Sequence, residues 1–193
     1  MRVLLSTIGS RGDVQPLVAL ALQLRELGHE SRVCAPPDVR DWILQFGIPF
    51  VPLGAEVRWT AKATTTPTPE QIREMMEGTV ATQFETIPAA AEGCDVIVAG
   101  NALNIAARSV AELMGIHYVF AAYCPITLPS SQHAPPKVLG WSPDDPTADN
   151  LALWDADARR WSERWGVAVR SCCKDGPTCR SLTVNPTACP LAK

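Results

Sequence analysis

Five times along this chain a short apolar run gives way to a stretch whose apolar residues recur at helical spacing, and this alternation limits the fold more than any other feature. Strands joined by helix-length segments pair in parallel, and a parallel sheet covered on both faces reads as unbroken apolar runs. The expected class is α/β, a Rossmann-like parallel sheet flanked by helices. Val3-Leu4-Leu5 opens the first strand and passes through Ser6-Thr7-Ile8 into Gly9-Ser10-Arg11-Gly12-Asp13. A helix follows on Leu17, Leu20, Ala21, Leu24 and Leu27, with Gly28 as its stop signal. Residues 31–35 form a second strand, 38–46 a short helix and 49–53 a third strand, completing one mononucleotide-type βαβαβ half.

Residues 55–69 include Thr64-Thr65-Thr66-Pro67-Thr68-Pro69, have no period, and read as an exposed loop long enough to be a binding element. From Pro69, a helical stripe runs through Ile72, Met75, Met76, Val80, Phe84 and Ile87, and Pro88 is expected to kink or end it. Residues 95–99 read as a fourth strand. Gly100-Asn101 then leads into a helix with Leu103, Ala106, Ala107, Val110, Leu113 and Met114 on its core face, stopped by Gly115. Residues 117–123 lack alternation and are expected to form a fifth strand covered on both faces. A proline-rich stretch over 124–146 precedes a last helix over 151–165, whose Trp154, Trp161 and Trp165 fit one face and are expected in core or interdomain packing.

Composition narrows the function classes. With 193 residues and 47% apolar content the chain fills one core, so one domain is the default. Seventeen basic against twenty acidic residues give a net charge of −3, and no basic block appears, which argues against nucleic acid or an anionic membrane as partner. No window is apolar for long enough to span a membrane, and the first apolar run is too short for a signal peptide. A cytoplasmic protein is the expectation. Cys34, Cys94 and Cys124 sit among apolar residues and are expected as reduced core thiols. Four of the seven cysteines crowd into residues 172–189, at a spacing that fits no usual zinc pair and with no histidine nearby, so neither a metal nor another cofactor is expected.

In an open α/β sheet, ligands meet the loops that leave the carboxyl ends of the strands. The first such loop carries Asp13, which suits a general base but equally suits a cap on the helix that follows. Gly9, Ser10, Arg11 and Gly12 allow close backbone approach at a helix N-terminus, as a phosphate needs, or else form a tight turn. They do not spell the G-x-G-x-x-G dinucleotide fingerprint, and Cys34 stands where its acidic partner is expected. Asn101 follows the fourth strand, either facing the crevice or capping a helix. Tyr123 is placed to stack on an aromatic ligand or to be buried at a strand end, and His133 either lines a ligand site or lies on an exposed loop.

Several segments together carry a family resemblance: Met1-Arg2-Val3-Leu4-Leu5-Ser6-Thr7, Gly9-Ser10-Arg11-Gly12-Asp13-Val14 with Pro16-Leu17-Val18-Ala19-Leu20, Cys34-Ala35-Pro36-Pro37, Ala81-Thr82-Gln83-Phe84, Ile87-Pro88-Ala89-Ala90-Ala91, Arg108-Ser109-Val110-Ala111-Glu112 and Ala122-Tyr123-Cys124-Pro125. From residue 1 to about 169 the chain resembles the glycosyltransferases that decorate vancomycin- and teicoplanin-type glycopeptides. The resemblance implies the GT-B architecture, two Rossmann-like domains with the acceptor on the N-terminal one and the nucleotide-sugar on the C-terminal one. Only the N-terminal domain is matched, and the donor-binding domain is absent from these residues. Residues 170–193 depart from the family and are expected to form an irregular tail.

The same resemblance implies an inverting, metal-independent hexosyl transfer from a UDP- or TDP-sugar to a hydroxyl of a glycopeptide aglycone. Asp13 would then be the base, and Gly9, Ser10, Arg11 and Gly12 would meet the donor diphosphate. Asn101, Tyr123 and His133 would line the acceptor. Two other readings stay open: a binding-only or inactive fragment, and a transferase of sterol, lipid or macrolide acceptors, since related enzymes share this loop.

Overall fold

In the computed structural model, which describes residues 1–56, 68–137 and 147–172, the first apolar run is strand β1 (Arg2–Thr7), buried from Val3 onward. Helix α1 (Arg11–Glu26) returns the chain to β2 (Glu30–Ala35), and a 3-10 turn (Pro37–Val39) with the short helix α2 (Arg40–Leu44) leads to β3 (Phe50–Pro52). Helix α3 (Pro69–Ala90) crosses to β4 (Val96–Gly100), and α4 (Ala107–Met114) leads to β5 (His117–Ala121). The last described element is α5 (Asn150–Cys172).

All strand pairs are parallel, in the order β3-β2-β1-β4-β5. The chain therefore builds outward from β1 in one direction and then reverses, starting again at β4 on the other side. That reversal leaves a crevice between the carboxyl ends of β1 and β4, where the loops diverge to opposite faces. Thr7 and Gly100 are register partners at its floor.

Side chains of alternating residues divide the core in two. Val3, Leu5, Val33, Ala35, Val96 and Val98 face α1 and α2. Leu4, Cys34, Ile97 and Ala99 face α3 and α4, whose Ile87, Ala107 and Val110 fill that layer. A smaller cluster of Val80, Ile105, Trp165, Ala168 and Val169 fixes α5 against α3.

The expected α/β class and strand order along the chain hold, with five local corrections. Pro88 does not end α3, because it lies in the last turn and the helix continues to Ala90. Its start is set by Pro69 after an N-cap, Thr68, that exchanges hydrogen bonds with Gln71. The helix after β4 begins at Ala107 rather than beside Leu103, because residues 101–104 are held in a turn described below. β5 is an edge strand: Val119 is 48% exposed, since α4 covers one face while on the other only Ala121, at the carboxyl end, packs against the core. Cys34 and Cys94 are buried as expected, but Cys124 is exposed, beyond the end of β5.

The final helix continues past residue 165 to Cys172. Trp154 and Trp165 are buried in it, and Trp161 stacks on Trp165 at 6.4 Å. The core of the 55–69 loop, the 138–146 part of the proline-rich stretch and residues 173–193 lie outside the described residues.

Candidate functional site

The site is assembled where the β1 and β4 loops diverge. Gly9 has φ +151, a conformation that side chains disfavour, and a Cβ there would lie 2.3 Å from Asp13 Oδ2. The space a side chain would fill is thus taken by the Asp13 carboxylate. Gly12 is different: a side chain there would meet only Ser10 Oγ at 3.7 Å, so this glycine leaves open surface over the start of α1.

The two carboxylate oxygens of Asp13 have different surroundings. The N-cap of α1 is Ser10, and Asp13 stands three residues on, reaching back. Its Oδ2 accepts from the Ser10 backbone N–H at 2.8 Å and from Ser10 Oγ at 3.1 Å. Among the described residues Oδ1 has a single long contact, 3.4 Å from Asn101 Nδ2. One oxygen holds the helix start, and the other keeps only that long contact with the β4 loop. The residue is half-buried at the rim of the sheet.

Asn101 does not cap a helix. It is the one non-glycine with positive φ (62°) among the described residues, and its Oδ1 accepts from Leu103 N–H at 2.9 Å, closing the turn that delays α4. Its Nδ2 contacts Ile8 O, Thr7 Oγ1 at 3.3 Å and Asp13 Oδ1. Tyr123 lies two residues beyond β5 and is 41% exposed. Its hydroxyl donates to the backbone carbonyl of Asp13 at 2.6 Å. Burial pushes the Tyr123 phenol above its ordinary range, a Thr7 hydrogen bond pulls it back, and the Asp13 charge adds to the rise.

Gly100 makes room for that contact, because a Cβ there would lie 2.0 Å from Tyr123 Oη. Arg11, on the first turn of α1, lies over the Trp42 ring at 4.7 Å. His133 packs edge-on against Trp154, which donates to its carbonyl at 2.9 Å, and its Nδ1 lies 3.1 Å from Ala134 O, so it is engaged with α5 and its own loop rather than with the Asp13 cluster.

Sequence reasoning missed three polar residues that brace the crevice. Asn104 is buried, accepting from Ser6 Oγ at 2.8 Å and donating to Gly100 O at 2.7 Å and Ser6 O at 3.2 Å. Gln83, fully buried on α3, donates to Leu103 O and accepts from Ala106 N–H, each at 2.9 Å. Thr7 is buried at the carboxyl end of β1, within reach of both Asn101 and Tyr123. The available signal was a second asparagine three residues after the first in an otherwise apolar segment.

A cavity of about 460 Å³ lies at the opposite, amino end of the sheet, lined by Arg2, Arg25, Arg32 and Cys94. Two of its guanidiniums serve the scaffold, Arg25 donating to Phe46 O and Arg32 to Ala90 O. Among the described residues no group of three His, Cys, Asp or Glu is arranged to hold a metal ion, and no helix is long and apolar enough to cross a membrane.

Residues 3–128 match the glycosyltransferase family 28 N-terminal domain. The chain belongs to that family. It is 47% identical over 174 residues to the glycosyltransferase GtfE of Amycolatopsis orientalis, covering 89% of this chain and 42% of GtfE. It is 43% identical over 173 residues to the vancomycin aglycone glucosyltransferase of the same organism, again covering 89% and 42%. The resemblance to glycopeptide glycosyltransferases read from the sequence is borne out, and the chain spans about two-fifths of the length of these relatives. Among solved structures, the glycotransferase of kitacinnamycin superposes with a TM-score of 0.55 at 16% identity, covering 88% of this chain and 38% of that one, a likeness of fold.

Proposed function

We propose that this chain is the acceptor-binding half of an inverting glycosyltransferase that moves a hexose from a UDP- or TDP-sugar to a hydroxyl of a glycopeptide aglycone. The observation that carries the reading is the division of labour within Asp13, whose Oδ2 is tied to Ser10 while Oδ1 stands at the switch point of the sheet.

In the reaction, Oδ1 takes the proton of the acceptor hydroxyl. The acceptor oxygen forms its bond to the anomeric carbon from the face opposite the leaving group, and the bond from that carbon to the diphosphate oxygen breaks. The nucleoside diphosphate leaves with the electron pair, and the anomeric centre is inverted. A fixed carboxylate suits this step because the acceptor oxygen becomes acidic only as its bond to the sugar forms. The amino end of α1, with exposed Arg11 and Gly12, offers their N–H groups and the positive end of a helix dipole to the departing diphosphate, beside the exposed Ser10 whose own N–H is given to Asp13.

The donor nucleotide is held by a second half not matched by these residues, and the complete enzyme works in the cytoplasm, where nucleotide-sugars are made. A glycopeptide acceptor is favoured over a sterol because the similarity to the vancomycin aglycone glucosyltransferase extends over 89% of the chain, against 28% for a sterol 3-beta-glucosyltransferase of Neurospora crassa.

The test has two stages. Calorimetry should detect binding of vancomycin aglycone to this chain, retained in Asp13→Asn. When the chain is joined to the carboxyl-terminal half of GtfE and supplied with a nucleotide-sugar, Asp13→Asn should lower turnover by a factor of about 100 to 10,000. Absence of aglycone binding refutes the acceptor assignment, and undiminished turnover in Asp13→Asn refutes the base.

A further inference from the structure

We propose that Asn101 is a positioning residue for the Asp13 carboxylate, holding Oδ1 at the crevice from a left-handed turn at the end of β4, and that it is not a contact for the acceptor. The inference rests on the reading of Asp13 as the base.

Three observations converge on it. First, the backbone of Asn101 is in the left-handed region (φ 62°), which side chains other than those of Gly, Asn and Asp rarely adopt, and such a conformation persists only where the surroundings hold it. Second, the side chain is fully engaged inside the protein. The amide oxygen accepts from Leu103 N–H, and the amide nitrogen has two hydrogens for three acceptors: Ile8 O, Thr7 Oγ1 and Asp13 Oδ1. An acceptor hydroxyl would find no polar atom of Asn101 uncommitted. Third, Asn101 directly follows Gly100, the register partner of Thr7, so the amide spans the two loops at the point where they part.

The chemistry follows from that geometry. One hydrogen is directed to Ile8 O, and the other is shared between Thr7 at 3.3 Å and Asp13 at 3.4 Å. A small rotation of the amide shortens one contact at the expense of the other, and contacts this long tighten when a substrate fills the site. A carboxylate oxygen has two lone pairs, so an amide hydrogen on one of them fixes the orientation of Oδ1 and leaves the second for the acceptor proton.

The hydrogen bonds to the carboxylate come from uncharged donors, Ser10 and Asn101. The surrounding ionisable groups are otherwise engaged. Arg11, two residues before Asp13 on the same helix, lies over Trp42, and Tyr123 donates to the Asp13 main chain. These donors set the orientation of the carboxylate without placing a second charged group in direct contact with it.

The test uses Asn101→Gly, because glycine adopts the same φ and removes only the amide. In the 193-residue chain, the side-chain NH₂ resonance of Asn101 should follow a carboxylate protonation on acid titration and lose that dependence in Asp13→Asn. Vancomycin aglycone affinity in Asn101→Gly should stay within about twofold of the parent. In the chain joined to the GtfE carboxyl-terminal half, Asn101→Gly should lower kcat tenfold to a hundredfold with KM for the aglycone unchanged.

An NH₂ signal indifferent to Asp13, or a tenfold loss of aglycone affinity in Asn101→Gly, overturns the inference. If Asp13→Asn abolishes turnover while Asn101→Gly spares kcat, the base stands and the positioning role falls. If Asp13→Asn leaves turnover intact, the proposed reaction itself is refuted, and the NH₂ titration still decides whether Asn101 holds the carboxylate.

Discussion

Replacing Gly100 by alanine tests whether the crevice is held together as described. The new Cβ would lie 2.0 Å from Tyr123 Oη, 2.9 Å from Cζ and 3.4 Å from Leu17 Cδ1. The backbone cannot yield easily, because Gly100 is paired with Thr7 on one side and Ala121 on the other. The tyrosine must therefore leave. Its departure forfeits the hydrogen bond to Asp13 O, about 1 kcal/mol net, and exposes part of the ring, for about 1–2 kcal/mol more.

The expected cost of Gly100→Ala is thus about 2–3 kcal/mol, a fall in Tm of about 5–10 °C for a chain of this size. Tyr123→Ala should cost nearly the same, and the double variant no more than Tyr123→Ala alone. The coupling in this double-mutant cycle, read by urea denaturation and calorimetry, should be about 2 kcal/mol. Tyr123→Phe separates the parts, costing about 1 kcal/mol for the hydroxyl. If Gly100→Ala is equally costly with and without the tyrosine ring, the side chain does not occupy that space and the tether between the β5 end and Asp13 is wrong.

Asp13→Ala should cost about 1 kcal/mol of stability through loss of the Ser10 contacts, and Asp13→Asn clearly less, while both lower turnover to a similar extent in the joined enzyme; equal unfolding midpoints for the two variants would contradict the holding role of Oδ2. Burial pushes Cys34 from its ordinary 9.0 up to about 12 and Tyr118 from 10.0 up to about 12, so both are protonated more firmly when folded. Their contribution is complete below about pH 9 and is lost as pH rises from 9 to 12 for Cys34 and from 10 to 12 for Tyr118, at about 1.4 kcal/mol per pH unit for each group. Cys34→Ala should remove its share of that slope in denaturation measured at stepped pH, and a slope unchanged by the substitution would count against burial of the thiol. Tyr118 Oη has no hydrogen-bond partner among the described residues, so Tyr118→Phe should raise stability by about 1 kcal/mol at neutral pH, with a loss instead of a gain ruling out an unpaired hydroxyl.

Much of the scaffold was legible because parallel strands and their crossover helices differ in period, and the residues at the ends of β1 and β4 sit where that period changes. Asp13 could be singled out on position alone, as a carboxylate in the first loop leaving the sheet. Its partners could not. Asn101 is 88 residues away in sequence and Tyr123 is 110 away, and both arrive because β4 pairs with β1 and β5 with β4. Local pattern gives the direction of each strand but not its neighbour.

The same limit explains β5, whose apolar run reads alike at the centre and at the edge of a sheet, although Val119 is open to solvent. Cys124 was misplaced for a related reason, since an apolar neighbourhood in sequence continued beyond the strand that buries it.

That Asp13 can serve as a cap with one oxygen and keep the other for a further role was not legible in the sequence, because a residue name does not distinguish two oxygens. A carboxylate three residues into a helix can return one oxygen to the N-cap, and geometry then directs the other away from the backbone groups it has just satisfied. In this chain the second oxygen meets a crevice created by strand order, with an amide from the opposing loop beside it. The capping contact thus fixes the Asp13 rotamer before any substrate arrives, as the proposed proton transfer demands. Gly9 is part of the same device, since the space its missing side chain leaves is where Oδ2 turns back. A larger residue at Gly9 should for that reason displace the Asp13 carboxylate and lower turnover in the joined enzyme, and unchanged turnover in Gly9→Ala would contradict this.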